Sequence, residues 1–168
     1  MLAGPCAIAS AILLLREARV WLAGQSRRGA RGAVVIDGSN VMYWWGGTPL
    51  ITPVQDVVRT LKDLGFKTGV VFDANAGHLL TNAYKDDAAL AAMLKLPVDQ
   101  VMVVPSGSPA DPFILTAARE MGAVVVSNDR YRDWADDFPE VLRRGHLIKG
   151  GYRQQELWFD FATLSDKQ

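Results

Sequence analysis

Four short apolar runs, each closed by turn-forming or acidic residues, constrain the fold of this chain more than any other feature. They are Ala33-Val34-Val35-Ile36, Thr68 to Phe72, Val101 to Val104 and Ala123 to Val126. A strand with one wet face alternates apolar and polar residues, whereas a strand covered on both faces is apolar throughout. The intervals between the runs read as helices. Thr52 is placed to cap one, with Pro53 at its first position and Gln55 three residues on. Val54, Val57, Val58, Leu61 and Leu64 then follow at helical spacing, and Gly65 closes the helix. Asp86 to Leu96, rich in alanine and leucine, forms a second helix stopped by Pro97. Asp111-Pro112 opens a third, with Phe113, Ile114, Ala117 and Ala118 apolar and Gly122 at its end. Such alternation predicts right-handed βαβ units and an α/β three-layer sandwich around a central, mostly parallel sheet. A short helix follows from Tyr131 to Trp134. His146 to Lys149 and Leu157 to Phe159 read as late strands, paired as an edge hairpin around Gly150-Gly151.

The length of 168 residues suits one domain with a full hydrophobic core. The single Cys6 excludes a disulfide framework and a cysteine-based zinc site. It also fits a reducing compartment. Net charge is zero but unevenly spread. Residues 1–32 carry Arg16, Arg19, Arg27, Arg28 and Arg31 against Glu17, a balance of +4 that leaves −4 for the remainder. A basic arm on an acidic body suits RNA only if metal ions offset some of the carboxylates.

Leu2 to Leu15 is uncharged and mostly apolar, and arginines follow rather than precede it. That order does not match a signal peptide. The expectation is an apolar helix over residues 1–23, acting as a membrane anchor or interfacial helix. Arginines after the run would hold the domain on the cytoplasmic side, at the inner face of the membrane. The alternative is an amphipathic helix docked on the domain or on a second copy of the chain, giving a homodimer. Residues 24–32, rich in glycine, arginine and serine, read as a flexible basic linker, and residues 33–168 as the domain.

Ligands of parallel α/β sheets sit beyond the carboxyl ends of the strands. Asp37 follows Ile36, Asp73 follows Phe72, Asp129 lies two residues past Ser127, and Asp111 opens the helix after the third strand. Asp133, four residues beyond Asp129, falls one helical turn on, facing the same way. Each aspartate has a structural explanation as a turn or a helix cap, worth about 1 kcal/mol. Together they are harder to dismiss. Clustered carboxylates repel and raise one another's pKa unless a cation sits among them. An incomplete cage of hard oxygen ligands suits Mg²⁺ or Mn²⁺, which retain waters and accept phosphate oxygens.

Tyr43, Trp44 and Trp45 stand in a loop bounded by Gly46-Gly47 and Pro49. They read either as faces for stacking unpaired bases or as a hydrophobic cover for the sheet end. Arg130 and Arg132 flank Tyr131, to hold phosphate oxygens or to neutralise Asp129 and Asp133. Lys149 ends a late strand and is placed to line a groove. There is no Walker sequence and no Gly-x-Gly-x-x-Gly, which excludes the usual nucleotide phosphate loops. Ser39 stands where an aspartyl-nucleophile phosphatase needs its second aspartate.

Val34-Val35-Ile36-Asp37-Gly38-Ser39-Asn40-Val41 resembles the opening motif of the NYN branch of PIN-like nucleases. Pro105-Ser106 through Asp111-Pro112-Phe113-Ile114-Leu115, then Val125 through Ser127-Asn128-Asp129-Arg130-Tyr131-Arg132-Asp133, is similar to the regnase-type ribonuclease domain. The similarity runs from about Val34 to Phe159. It implies a PIN-like, Rossmannoid fold and a Mg²⁺- or Mn²⁺-dependent endoribonuclease leaving a 5′-phosphate and a 3′-hydroxyl. It places Asp37, Asp111, Asp129 and Asp133 on the acidic site and Asn40 near the scissile phosphate. Ser39, Trp44, Arg130, Arg132 and Lys149 are the residues expected to touch RNA. Two departures stand out: Ala110 replaces the first member of an acidic pair, and there is no accompanying zinc finger. Ala110 favours the alternative, an RNA- or protein-binding module without chemistry on the same scaffold. Cleavage of flap or structured DNA would share the same metal chemistry.

Overall fold

A computed structural model describes residues 32–161. The expected apolar helix over residues 1–23 and almost all of the linker lie outside the described residues. No described helix is long and apolar enough to cross a membrane.

The apolar runs form the strands of one sheet. Strands β1 (Ala33–Asp37), β2 (Lys67–Phe72), β3 (Val101–Val103), β4 (Val124–Val126) and β5 (Leu147–Ile148) lie in the order β3-β2-β1-β4-β5. Every neighbouring pair is parallel. Helix α1 is the short turn Gly38–Val41. It is followed by α2 (Ile51–Asp63), α3 (Ala76–Thr81), α4 (Asp87–Leu94) and α5 (Asp111–Met121). On one face of the sheet, Val34, Ile36, Val70 and Phe72 pack against Val54, Val57, Val58 and Leu61 of α2 and Leu90, Ala91 and Leu94 of α4. On the other, Val35, Val71 and Val125 pack against Ile114, Leu115, Ala117 and Ala118 of α5. Alternate residues of one strand thus enter two different cores, which is why the runs are apolar without interruption. Full burial of each such side chain stabilises by roughly 1.5–3 kcal/mol.

Strand order decides where a ligand can sit. From β1 the chain steps outward to β2 and β3, then crosses back through α5 to β4 on the other side of β1. The carboxyl ends of β1 and β4 are therefore the switch point, where ligands of such sheets sit.

Several local expectations are corrected. Helix α2 begins at Ile51 with Leu50 as its N-cap, and Thr52 does not cap it. The Leu50 amide donates to the Met42 carbonyl at 2.9 Å. Gln55 donates to the Met93 carbonyl at 2.8 Å, so contacts with α1 and α4 displace the local capping box. Helix α4 stops at Lys95, whose left-handed φ of 56° ends it before Pro97 is reached. Helix α3 and the turn α1 were not expected, being too short for periodicity to reveal.

The C-terminal part differs most. Strand β5 joins the main sheet beside β4, and the hairpin is built instead from β6 (Gly150–Arg153) and β7 (Glu156–Phe159). Its turn is Gln154-Gln155, both with positive φ (49° and 69°), which matches the twist of a tight hairpin. Gly150 lies within a strand for a different reason. A Cβ there would stand 2.6 Å from the Trp44 ring, so only glycine lets the hairpin dock.

Candidate functional site

The first motif folds as a bend around one buried carboxylate. Asp37 ends β1 and caps α1, its Oδ1 accepting from the Asn40 amide at 3.0 Å. Its Oδ2 accepts from Ser127 Oγ at 2.9 Å and from the Tyr131 hydroxyl at 2.7 Å. Only 6% of Asp37 is exposed. Burial pushes its carboxyl up to about 6, against the pull of these hydrogen bonds. Ser127 Oγ also accepts from the Asp129 amide at 3.1 Å, which links the buried acid to the loop after β4.

Asp111 is the hub of the acidic residues. Burial raises its carboxyl, the Trp134 indole bonded at 3.0 Å lowers it, and the charges of Asp129, Asp73 and Asp133 raise it further. Asp37 in turn feels the charge of Asp111. The aspartates expected at the strand ends thus lie within reach of one another's charge. None of Asp73, Asp111, Asp129 and Asp133 forms an ion pair among the described residues. Nor do the described residues contain a group of three or more His, Cys, Asp or Glu side chains that could hold a metal ion as they stand.

Two geometric expectations change here. Asp133 does not lie one helical turn beyond Asp129, because the helix near Tyr131 is a 3₁₀ turn spanning only Arg132–Trp134. Asp129 Oδ1 accepts from the Tyr131 amide at 2.9 Å, and Tyr131 takes a left-handed φ of 50°. Asp111 does not cap α5. Ala110 holds the cap position, and its side chain is buried in the core beside Ile114. An acidic side chain at position 110 would have to leave that apolar site, which accounts physically for the alanine.

Asn40 is held by its carbonyl. Its Oδ1 accepts from Trp44 Nε1 at 2.9 Å and from the Asn128 amide at 3.0 Å. Two N–H donors on one oxygen fix the amide orientation and leave Nδ2 as a donor with no protein partner among the described residues. Ser39 Oγ accepts from the Asp73 amide at 2.8 Å, tying the ends of β1 and β2 together. Trp44 is half-buried, edge-on to Phe159 at 6.4 Å, and acts as a cover for the sheet end. In that loop the more exposed rings are Tyr43 and Trp45. Arg130 and Arg132 are exposed and form no ion pair with a carboxylate among the described residues. Lys149 follows β5.

Tyr131, Ser127, Asn128 and Trp134 were not among the expected site residues. The Ser-Asn-Asp-x-Tyr-Arg-Asp run carried three of them, but nothing local shows that a tyrosine hydroxyl reaches an acid 94 positions away. Tyr131→Phe is expected to lower unfolding stability by about 1–3 kcal/mol, because it strips a buried acceptor of one donor. An unchanged urea midpoint would contradict that.

The family model for the Zc3h12a-like ribonuclease NYN domain matches residues 30–157, and the chain belongs to that family. No curated protein matches the sequence. Among solved structures, the fold is similar to Arabidopsis thaliana nuclear protein-only RNase P 2 (PRORP2), at 17% identity and a TM-score of 0.58. That match covers 92% of this chain and 34% of the other. A second structure of the same A. thaliana protein gives 13% identity and a TM-score of 0.59, covering 88% and 36%. This chain therefore spans about a third of the length of those proteins, and the likeness concerns the fold.

Proposed function

We propose that this chain is a divalent-metal-dependent endoribonuclease. The observation that carries the reading is Asp111, a half-buried carboxylate raised by burial and then by the charges of Asp129, Asp73 and Asp133, with no ion pair among the described residues. Such a set is costly unless a cation joins it, and all-oxygen donors fit Mg²⁺ or Mn²⁺. Drawn closer than they stand here, Asp111, Asp129 and Asp133 would hold the ion, with Asp37 behind them. Bound there, it would supply Lewis-acid stabilisation of the phosphate and a water of lowered pKa.

The protein's own groups would do the positioning. Asn40 Nδ2 offers a donor to a phosphate oxygen. Arg130, Arg132 and Lys149 offer positive charge along the edge where the backbone would lie. Asp37, through Ser127 and Tyr131, holds the loop bearing Asp129 at a set distance from β1.

The test is incubation of the full chain with a mixed RNA pool in Mn²⁺, in Mg²⁺ and in EDTA. Internal cuts are expected with metal and none with EDTA; undiminished cutting in EDTA would overturn the assignment. Melting separates the enzyme from a binding module that has lost its chemistry, the reading favoured by Ala110. Metal at about 100 times its Kd should stabilise the fold by about 2.7 kcal/mol. A midpoint indifferent to millimolar Mn²⁺, together with no cleavage, would favour the binding module.

A further inference from the structure

We propose that Trp45, braced by Tyr152, is a stacking subsite for an unpaired base of the RNA. This rests on the nuclease reading above and adds to it a base-binding contact outside the acidic residues.

The argument begins with which aromatic rings are available. Trp44 is committed, its indole to Asn40 and its ring to the packing around Phe159 and Gly150. The next residue, Trp45, is 41% exposed. Its ring meets that of Tyr152 at 4.7 Å between centroids, tilted by 50°. Tyr152 is itself fixed, its hydroxyl donating to Asp56 Oδ2 of α2 at 2.8 Å. An indole backed by a pinned ring has already lost much of its rotamer freedom. A base stacking on its open side meets a prepared surface.

Continuity with the acidic residues comes from two hydrogen-bonded links. Trp45 adjoins Trp44, which bonds Asn40. Tyr152 lies two residues along β6 from Gly150, whose amide and carbonyl both bond the Asn128 side chain, at 3.2 and 2.9 Å. Asn128 in turn donates its backbone amide to Asn40 Oδ1. Both ends of the aromatic pair are thus tied to the residues around the proposed phosphate site. Arg153, next to Tyr152 and across the hairpin from Glu156, is exposed with its guanidinium 4.3 Å from the Trp158 ring centre. A base in a duplex has its faces covered by its neighbours and cannot use such a surface; an unpaired base can.

The test uses the full chain carrying Asp129→Asn, so that binding is read without cutting. The probe is a fluorescein-labelled RNA of mixed sequence, either alone or annealed to its complement. Trp45→Ala is expected to weaken binding of the single strand by roughly 5- to 100-fold, the usual worth of one stacked base. Trp45→Phe should recover most of that loss, and duplex binding should change by less than about twofold. Tyr152→Phe, which removes the bond to Asp56, should give a smaller loss for the single strand alone. Equal single-strand affinity in Trp45→Ala would overturn the subsite, as would equal losses for single strand and duplex. The two readings fail separately. Trp45-dependent binding without any metal-dependent cutting by the parent chain would sink the nuclease but keep the subsite. Cutting with a KM indifferent to Trp45→Ala would do the reverse.

Discussion

Asp37→Asn is expected to make the protein more stable at pH 7.5 while slowing RNA cleavage. The stability gain follows from the burial of Asp37. Its carboxyl titrates at about 6 in the folded protein against 3.8 when unperturbed. Between those values the folded state keeps the proton and the unfolded state has lost it, so stability falls as pH rises. The contribution is complete below about pH 3.8 and gone above about pH 6, a loss of roughly 3 kcal/mol at most. Asparagine escapes that loss. Its oxygen can still accept from the Asn40 amide, and its nitrogen can donate to the hydroxyl oxygen of Ser127 or Tyr131.

The advantage of Asp37→Asn over the parent should therefore grow from pH 4 to pH 7 and reach about 1–3 kcal/mol. Urea unfolding in EDTA at both pH values measures it. The same difference at each pH would contradict the burial argument. Cleavage should fall by about 10- to 100-fold, the usual cost of altering a group that lies behind a metal's ligands. Asp129→Asn should lose cleavage as well, while keeping the bond from the Tyr131 amide and hence the loop. Full activity in purified Asp129→Asn protein would refute the proposed roles.

Gly38→Ala is the second large effect. An added Cβ would lie 2.5 Å from Cε1 of Phe72 and 2.7 Å from its Cδ1, and that ring is fully buried. The ring has no free space to enter, so either β2 or the turn α1 must move. Overpacking of this kind costs about 1–3 kcal/mol. The turn also sets Asp37, Ser39 and Asn40, and a displacement of about 1 Å at a reacting group costs on the order of 100-fold in rate. Urea unfolding and initial cleavage rates check both parts. A midpoint and a rate equal to the parent's would show that the turn tolerates the side chain.

Gly38 also illustrates what could be read in advance. Asp37-Gly38 reads as a turn, with glycine supplying backbone freedom. Yet Gly38 is helical and absent from the positive-φ positions; it is required because Phe72, 34 residues away, leaves no room for a Cβ. Trp44 and Trp45 make the same point. Their composition announces an aromatic loop, but which ring covers the core and which faces outward depends on Gly150 and Tyr152 in a distant hairpin. The hairpin is equally hidden, since two apolar segments near Gly150-Gly151 look alike whether they join the main sheet or each other.

Sequence alone determined the parallel α/β sandwich, the four apolar strands, the principal helices and the placement of aspartates beyond the strand ends. All of these follow from periodicity and turn chemistry acting over a few residues. Tertiary structure decided that Asp37 is buried beneath Ser127 and Tyr131, that Asp111 is the hub of the carboxylates, and that Trp45 rather than Trp44 is the outward ring. Those outcomes depend on strand order and on side chains meeting across about 90 positions of chain, as Ser127 and Asp37 do. Residue spacing encodes which face is apolar, but not which distant group that face will meet.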